Sequence, residues 1–276
     1  MEQDAVTVTL GFAIGVLSGL FGVGGSSIAT PLLRVTLNTP SLIALASPLP
    51  ATFPTAVAGL AGYRKEGLVN RHAVVWTVVG GLPAVVVGAL LTRWIPGHWL
   101  MILIAVAVAG VGVEMLRLNP YTAAESARRS TQWRSAPVPG LLVVAVGVGL
   151  LSGLLANGGG FLLVPAFVLL FGASMREAAA TSLICVAFLA VPGTVTHALL
   201  GHINWWLSFY LAIGVIPGTF LGARVSVWQR QVRLRRPFGA FLILFAAYFL
   251  VAEILRSMWR QFRNEPTPAR APARLS

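Results

Sequence analysis

A chain of 276 residues that is 57% hydrophobic and only 10% charged, with a mean hydropathy of +0.81, is too apolar for a soluble domain. Its formal charge of +12 would suit nucleic acid, but the basic residues fall between and after apolar runs instead of lining one face. The positive-inside bias of a multi-pass membrane protein produces that pattern, so nucleic acid is not expected as a partner. The lone Cys185 lies in an apolar run, which excludes an internal disulfide or multi-cysteine metal site and reads as a buried structural thiol.

Apolar runs of about 20 residues, read against turn and charge signals, predict an all-α protein. The first segment covers residues 6–37 and is broken at Gly22 to Gly25; the second, third and fourth cover 41–62, 73–94 and 99–118. Met1-Glu2-Gln3-Asp4 lacks the basic start of a cleavable signal, so the first segment is expected to remain in place. A polar linker at 119–137 carries Arg128, Arg129 and Arg134. The fifth segment, 138–171, is broken at Asn157 to Gly160, and three more follow at 176–200, 205–227 and 238–255. The tail from 259 to 276 is rich in Pro, Ala and Arg and too poor in apolar surface to order itself.

Shifting the chain by 134 residues lays its first half on its second without a gap. Ser18, Gly19, Leu20, Gly24, Gly25 and Pro31 fall on Ser152, Gly153, Leu154, Gly158, Gly159 and Pro165. Gly59, Gly67, Asn70, Gly80, Pro83 and Gly88 fall on Gly193, Gly201, Asn204, Gly214, Pro217 and Gly222. Apolar composition alone does not place glycines, prolines and asparagines in register. The expected plan is therefore a tandem duplication: repeat one at 1–118, the linker at 119–137, repeat two at 138–258 and the tail.

Charge bears on orientation. Arg64, Lys65 and Arg71 follow the second segment, while the matching loop at 201–204 has no Lys or Arg. Arg93 stands alone after the third segment, while its counterpart carries Arg224, Arg230, Arg233, Arg235 and Arg236. Opposite charge in equivalent loops predicts inverted repeats, which follows if each broken segment is a re-entrant hairpin. Eight simple crossings are the competing topology, since the hairpin plan puts the basic tail residues Arg256, Arg260 and Arg263 outside.

The two breaks, Gly22-Val23-Gly24-Gly25-Ser26-Ser27 and Ala156-Asn157-Gly158-Gly159-Gly160, carry the candidate chemistry. Irregular backbone at bilayer depth survives only where it is buried in protein or lines a polar cavity. A helix restarting there presents N–H groups and a positive dipole end to an anion. The expected site therefore comprises Gly24, Gly25, Ser26, Ser27, Asn157, Gly158, Gly159 and Gly160, with Ser47, Thr181 and Ser182 from the following segments. Each has an ordinary alternative: close helix packing for the glycines, capping for Ser26, Ser27 and Asn157, and back-bonding to their own helix for the hydroxyls. Pro48, Pro50 and Pro54 are expected to kink the second segment. Arg34, Arg176, Glu177, His197 and His202, near segment ends, read as interfacial, as do Trp94, Trp99, Trp205 and Trp206.

The duplicated Ser-Gly-Leu-x(3)-Gly-Gly run, with a proline six residues after its second glycine and a polar pair in the next segment, resembles the TauE/SafE family of sulfite and organosulfonate exporters. The resemblance spans residues 6–257. It implies a permease of the cytoplasmic membrane for sulfur-containing anions or small organic acids. The chain departs from the family's Thr-Ser-Leu run at Ala46-Ser47-Pro48-Leu49, whereas Ala180-Thr181-Ser182-Leu183 keeps it, and Asn157 is a further local feature. The expected partners are a small anion and the bilayer, with homo-oligomers left open and no cofactor. Rival readings are an anion channel, an intramembrane enzyme and an assembly partner without transport activity; no His-Glu-x-x-His run or paired aspartates favours the enzyme. Glu114 and Glu253 lie near segment ends, so no carboxylate relay is evident. Coupling would use His197, or the membrane potential would drive the anion out, at about 2.3 kcal/mol per charge per 100 mV.

Overall fold

The computed structural model describes residues 2–22, 25–37, 39–63, 67–117, 133–156, 158–228 and most positions between 239 and 251. Among these residues every regular element is helical. They are α1 (Glu2–Phe21), α2 (Ser26–Thr36), α3 (Ser41–Ala46), α4 (Leu49–Tyr63), α5 (Arg71–Leu91), α6 (Gly97–Arg117), α7 (Val138–Leu154), α8 (Gly160–Leu170), α9 (Met175–Leu199) and α10 (Trp205–Trp228). Five stretches are long and apolar enough to cross a membrane: Asp4–Phe21, Ser41–Tyr63, Arg71–Leu91, Met175–Leu199 and Trp205–Ser226. Gly24 and Asn157 lie outside the described residues, as do Arg64, Lys65, Arg128, Arg129, the arginines from 230 to 236 and the tail.

Local chemistry sets several helix starts. Asn70 caps α5 by accepting from the Ala73 N–H at 3.2 Å. Ser174 and Glu177 form a reciprocal capping box at the start of α9. The second predicted segment is divided at Ser47–Pro48 into α3 and α4, because consecutive prolines at 48 and 50 remove backbone donors. Its counterpart α9 has Ser182 at the matching place and runs unbroken from Met175 to Leu199.

Small residues then let the backbones close up. Gly11, Gly15 and Gly19 on α1 meet Leu211, Val215 and Thr219 on α10, so these two helices run parallel. Ala145, Gly149 and Gly153 on α7 meet Gly80, Gly81 and Val85 on α5, again in parallel. Gly59 and Gly62 of α4 meet Thr219 and Ala223, so α4 runs parallel to α10, while Gly193 beside Val85 and Leu189 beside Gly81 run α9 parallel to α5. Between α4 and α9 the sense is opposite: Gly59 touches Leu183 and Gly193 touches Leu49. The first helix of each half thus packs on a helix of the other half, which makes one interlocked body.

Polar ties across the halves come in pairs at the same spacing. The Asn70 N–H donates to Thr181 Oγ1 at 3.1 Å and the Asn204 N–H donates to Ser47 Oγ at 3.0 Å. Tyr63 Oη donates to the Gly19 carbonyl at 3.0 Å, and His197 Nε2 lies 2.9 Å from the Gly153 carbonyl. Each of these four pairs of residues is related to its mate by 134 positions, as 70 to 204 and 63 to 197 illustrate.

Candidate functional site

Both interruptions are built by backbone that ordinary side chains avoid. Gly22 and Gly25 have φ of 72° and 77°, and Ala156, Gly158 and Gly159 have 47°, 62° and 78°. These left-handed turns send the chain back along the helix it has just left. A methyl placed on Gly25 would lie 3.6 Å from Ser18 Oγ and 3.7 Å from Ile14, a full turn or more before the end of α1. One placed on Gly159 would lie 3.0 Å from Val148 and 3.4 Å from Ser152 Oγ. α1–α2 and α7–α8 are therefore hairpins, each with its second helix restarting beside its first.

The restarts are neighbours. A methyl on Gly158 would stand 3.1 Å from Thr52 Cγ2, 3.2 Å from Val186 and 3.9 Å from Ser26 Oγ. The N-terminal turns of α2 and α8 thus approach one another through Gly158 and Ser26, with Thr52 of α4 between them. Neither N-cap, Gly25 or Gly159, supplies a side-chain cap. The early N–H groups of a helix have no partner in their own helix, and its start carries a partial positive charge. Two such starts are apposed here, while the described carboxylates lie elsewhere: Asp4 in the first turn of α1 and Glu177 in the α9 capping box.

Beside the first break is a small recess lined by Gly25, Ser26, Pro48, Thr52, Thr55 and Val215, among others. It offers about 10 Å³ to the centre of a water, enough for about one water molecule and too little for an oxyanion. Thr52 and Thr55 were not singled out by sequence reasoning; both are buried, and both donate back to their own helix, to Pro48 O at 3.1 Å and Ala51 O at 2.5 Å. Nothing in a single threonine within an apolar run signals that it faces a neighbouring break.

The remaining expected residues divide. Gly25, Ser26, Gly158, Gly159 and Gly160 are together at the apposed starts. Ser27 lies in α2, and only its backbone place is described. Ser182 Oγ reaches the first break, 2.9 Å from Gly22 O and 3.0 Å from Ala179 O. Ser47 and Thr181 are acceptors for loop N–H groups of the other half, and Ser208 Oγ donates to the Ser47 carbonyl at 2.6 Å. Arg34 is buried and donates to Thr39 O at 2.6 Å. His197 is buried as well, away from the interfacial place expected for it.

A multi-pass bundle in which two helices stop and restart against each other is the architecture of a membrane transporter. Residues 7–249 match the family model described as sulfite exporter TauE/SafE, and the chain belongs to that family. It is 32% identical over 256 residues to a probable membrane transporter protein of Xylella fastidiosa strain Temecula1, covering 91% of this chain and 96% of the relative. The probable membrane transporter protein YunE of Bacillus subtilis is 24% identical over 239 residues, covering 80% and 86%. No solved structure matches the chain.

Proposed function

We propose that this transporter carries a small oxyanion, a sulfite, an organosulfonate or a related organic acid, across the cytoplasmic membrane by alternating access. The observation that carries the reading is the apposition of the α2 and α8 starts, uncapped by side chains, in the protein interior. Two positive dipole ends in a medium of low dielectric repel one another unless a negative charge joins them. Main-chain N–H groups then bind the anion without a cationic side chain. The family's name, sulfite exporter, agrees with an oxyanion. The recess admits about one water, so entry of the anion requires the halves to shift, which favours a carrier over an open channel.

The same reading treats residues 1–118 and 138–258 as two copies of one unit inserted in opposite senses. Three observations support it. Contacts recur at a spacing of 134 residues, as in Asn70 with Thr181 and Asn204 with Ser47. α4 and α9, which are equivalent, run antiparallel, whereas units inserted in the same sense would run them parallel. Arg93 lies close enough to act on His202, so the loops after α5 and α9 share one face; eight simple crossings would separate them.

Counterflow in proteoliposomes tests the function. Internal sulfite, methanesulfonate or acetate should accelerate uptake of the labelled anion, and Gly159→Leu, which fills the α8 start, should abolish it. Unitary currents without trans-acceleration would establish a channel instead, and no flux of any of the three would defeat the reading.

A further inference from the structure

Two buried hydroxyls remain without partners, and they are equivalent: Ser18 and Ser152, exposed by 0% and 2%, have no hydrogen bond to Oγ. A serine in a helix ordinarily returns its hydroxyl to the carbonyl four residues back. Thr30, Thr52, Thr55 and Thr219 all do so. Ser18 and Ser152 instead point at the N-cap glycines of the restarted helices, within 3.6 Å and 3.4 Å of where a methyl on Gly25 or Gly159 would stand. A buried hydroxyl left unpaired costs free energy, and one such cost at matching places in both hairpins calls for a ligand that removes it.

We infer that Ser18 and Ser152 are substrate-binding residues, each donating its O–H to an oxygen of the bound anion at the helix start its hydroxyl faces. The inference rests on the proposed anion site and deepens it. A hydroxyl rotates to donate along one direction, and two of them approaching from two hairpins suit a ligand with at least two separated acceptor oxygens. Sulfite, sulfonates and carboxylates meet that need; a halide offers a single acceptor. Selection between oxyanion and halide then belongs to these two side chains, while the dipoles supply the attraction for negative charge in general.

The test uses the full-length protein in detergent, with thermal midpoints titrated against sodium sulfite, sodium methanesulfonate and sodium chloride. Sulfite or methanesulfonate should raise the wild-type midpoint, and chloride at equal ionic strength should not. Ser18→Ala and Ser152→Ala should each weaken oxyanion binding about tenfold or more, since bonds to charged groups are the stronger kind. Without ligand, both variants should melt at or above the wild-type temperature, because no bond is lost. A fall of several degrees would mean that the hydroxyl has a structural partner, and would overturn the inference. Wild-type affinity in both variants would also overturn it while leaving the helix-start site intact. Failure of every oxyanion to shift the wild type would remove both together. Where an alanine variant does not fold, Ser18→Cys and Ser152→Cys keep the volume with a poorer donor and are read by the same criteria.

Discussion

Tyr63 and His197 sit at the same place in the two halves and grip the same carbonyl, Gly19 O in one and Gly153 O in the other. Both carbonyls belong to the last turn of a helix that stops at a break, where backbone acceptors lack partners of their own. The tyrosine ends there. The histidine continues: a carbonyl can only accept, so His197 Nε2 carries the proton, and its Nδ1 then accepts from His202 Nδ1 at 3.2 Å. One hairpin is thus latched by a phenol, and the other by an imidazole pair reaching the half-buried His202 near the membrane face. The same geometry serves both, but protons can reach only one.

The largest expected effect abolishes the comparison altogether. A side chain at Gly19 would overlap the Thr219 carbonyl, and one at Gly153 the Val85 carbonyl. Gly19→Val and Gly153→Val should each cost on the order of 3 kcal/mol or more, seen as loss of the monodisperse peak in size-exclusion chromatography. Recovery of a normal peak and melting point would show that the helix pairs are not interlocked as described.

Next come the latches themselves. Tyr63→Phe leaves the Gly19 carbonyl buried and unpaired, for about 1–3 kcal/mol measured by thermal or denaturant unfolding. His197→Phe should cost more than Tyr63→Phe, because it also severs the bond to His202. The exchange His197→Tyr restores a phenolic donor to Gly153 and should leave transport less dependent on pH than in the wild type. Unchanged pH dependence in that variant would show that the imidazole pair takes no part.

A smaller effect tests His202 by stability. Burial holds its imidazole below the ordinary value of 6.5, and the nearby Arg93 guanidinium adds to the depression. The unfolded chain then binds the proton more readily than the folded one. His202 therefore contributes full stability above about pH 6.5, which declines as the pH falls from there toward its lower folded-state value. Melting curves from pH 8 to pH 5 should show that decline, and His202→Gln should remove its share; an identical slope in the variant would refute the assignment.

The smallest effect concerns the turns that precede the restarts. Ala156 holds a φ of 47°, where its equivalent is Gly22 at 72°. Ala156→Gly should relieve left-handed strain and raise stability by less than about 1 kcal/mol, the gain being offset by chain entropy. Gly22→Ala should do the reverse and destabilise, since its methyl would stand 2.5 Å from the Ala179 Cα.

Much of this molecule is legible in its residues. Glycine runs inside apolar stretches mark the two breaks, because such backbone cannot persist against lipid, and the helices do stop at Phe21 and Leu154. Ser18 and Ser152 belong to the repeated motif, so their equivalence was visible, but their lack of partners was not. The role of Ser47 and Thr181 as acceptors for the opposite half was equally hidden, because helix rotation decides which hydroxyl meets a neighbour and which turns back on its own helix. Tyr63 and His197 carry no shared chemistry that would pair them before their carbonyl targets are seen.

The sequence by itself determined a membrane solvent, the helices and the places where two of them break, since hydropathy and glycine act locally along the chain. Only the tertiary structure decided that the two restarted helices meet, that their neighbouring hydroxyls stay unpaired, and that one latch titrates. Those outcomes depend on which small residues let distant backbones touch, and a contact between residues more than a hundred positions apart has no local signature.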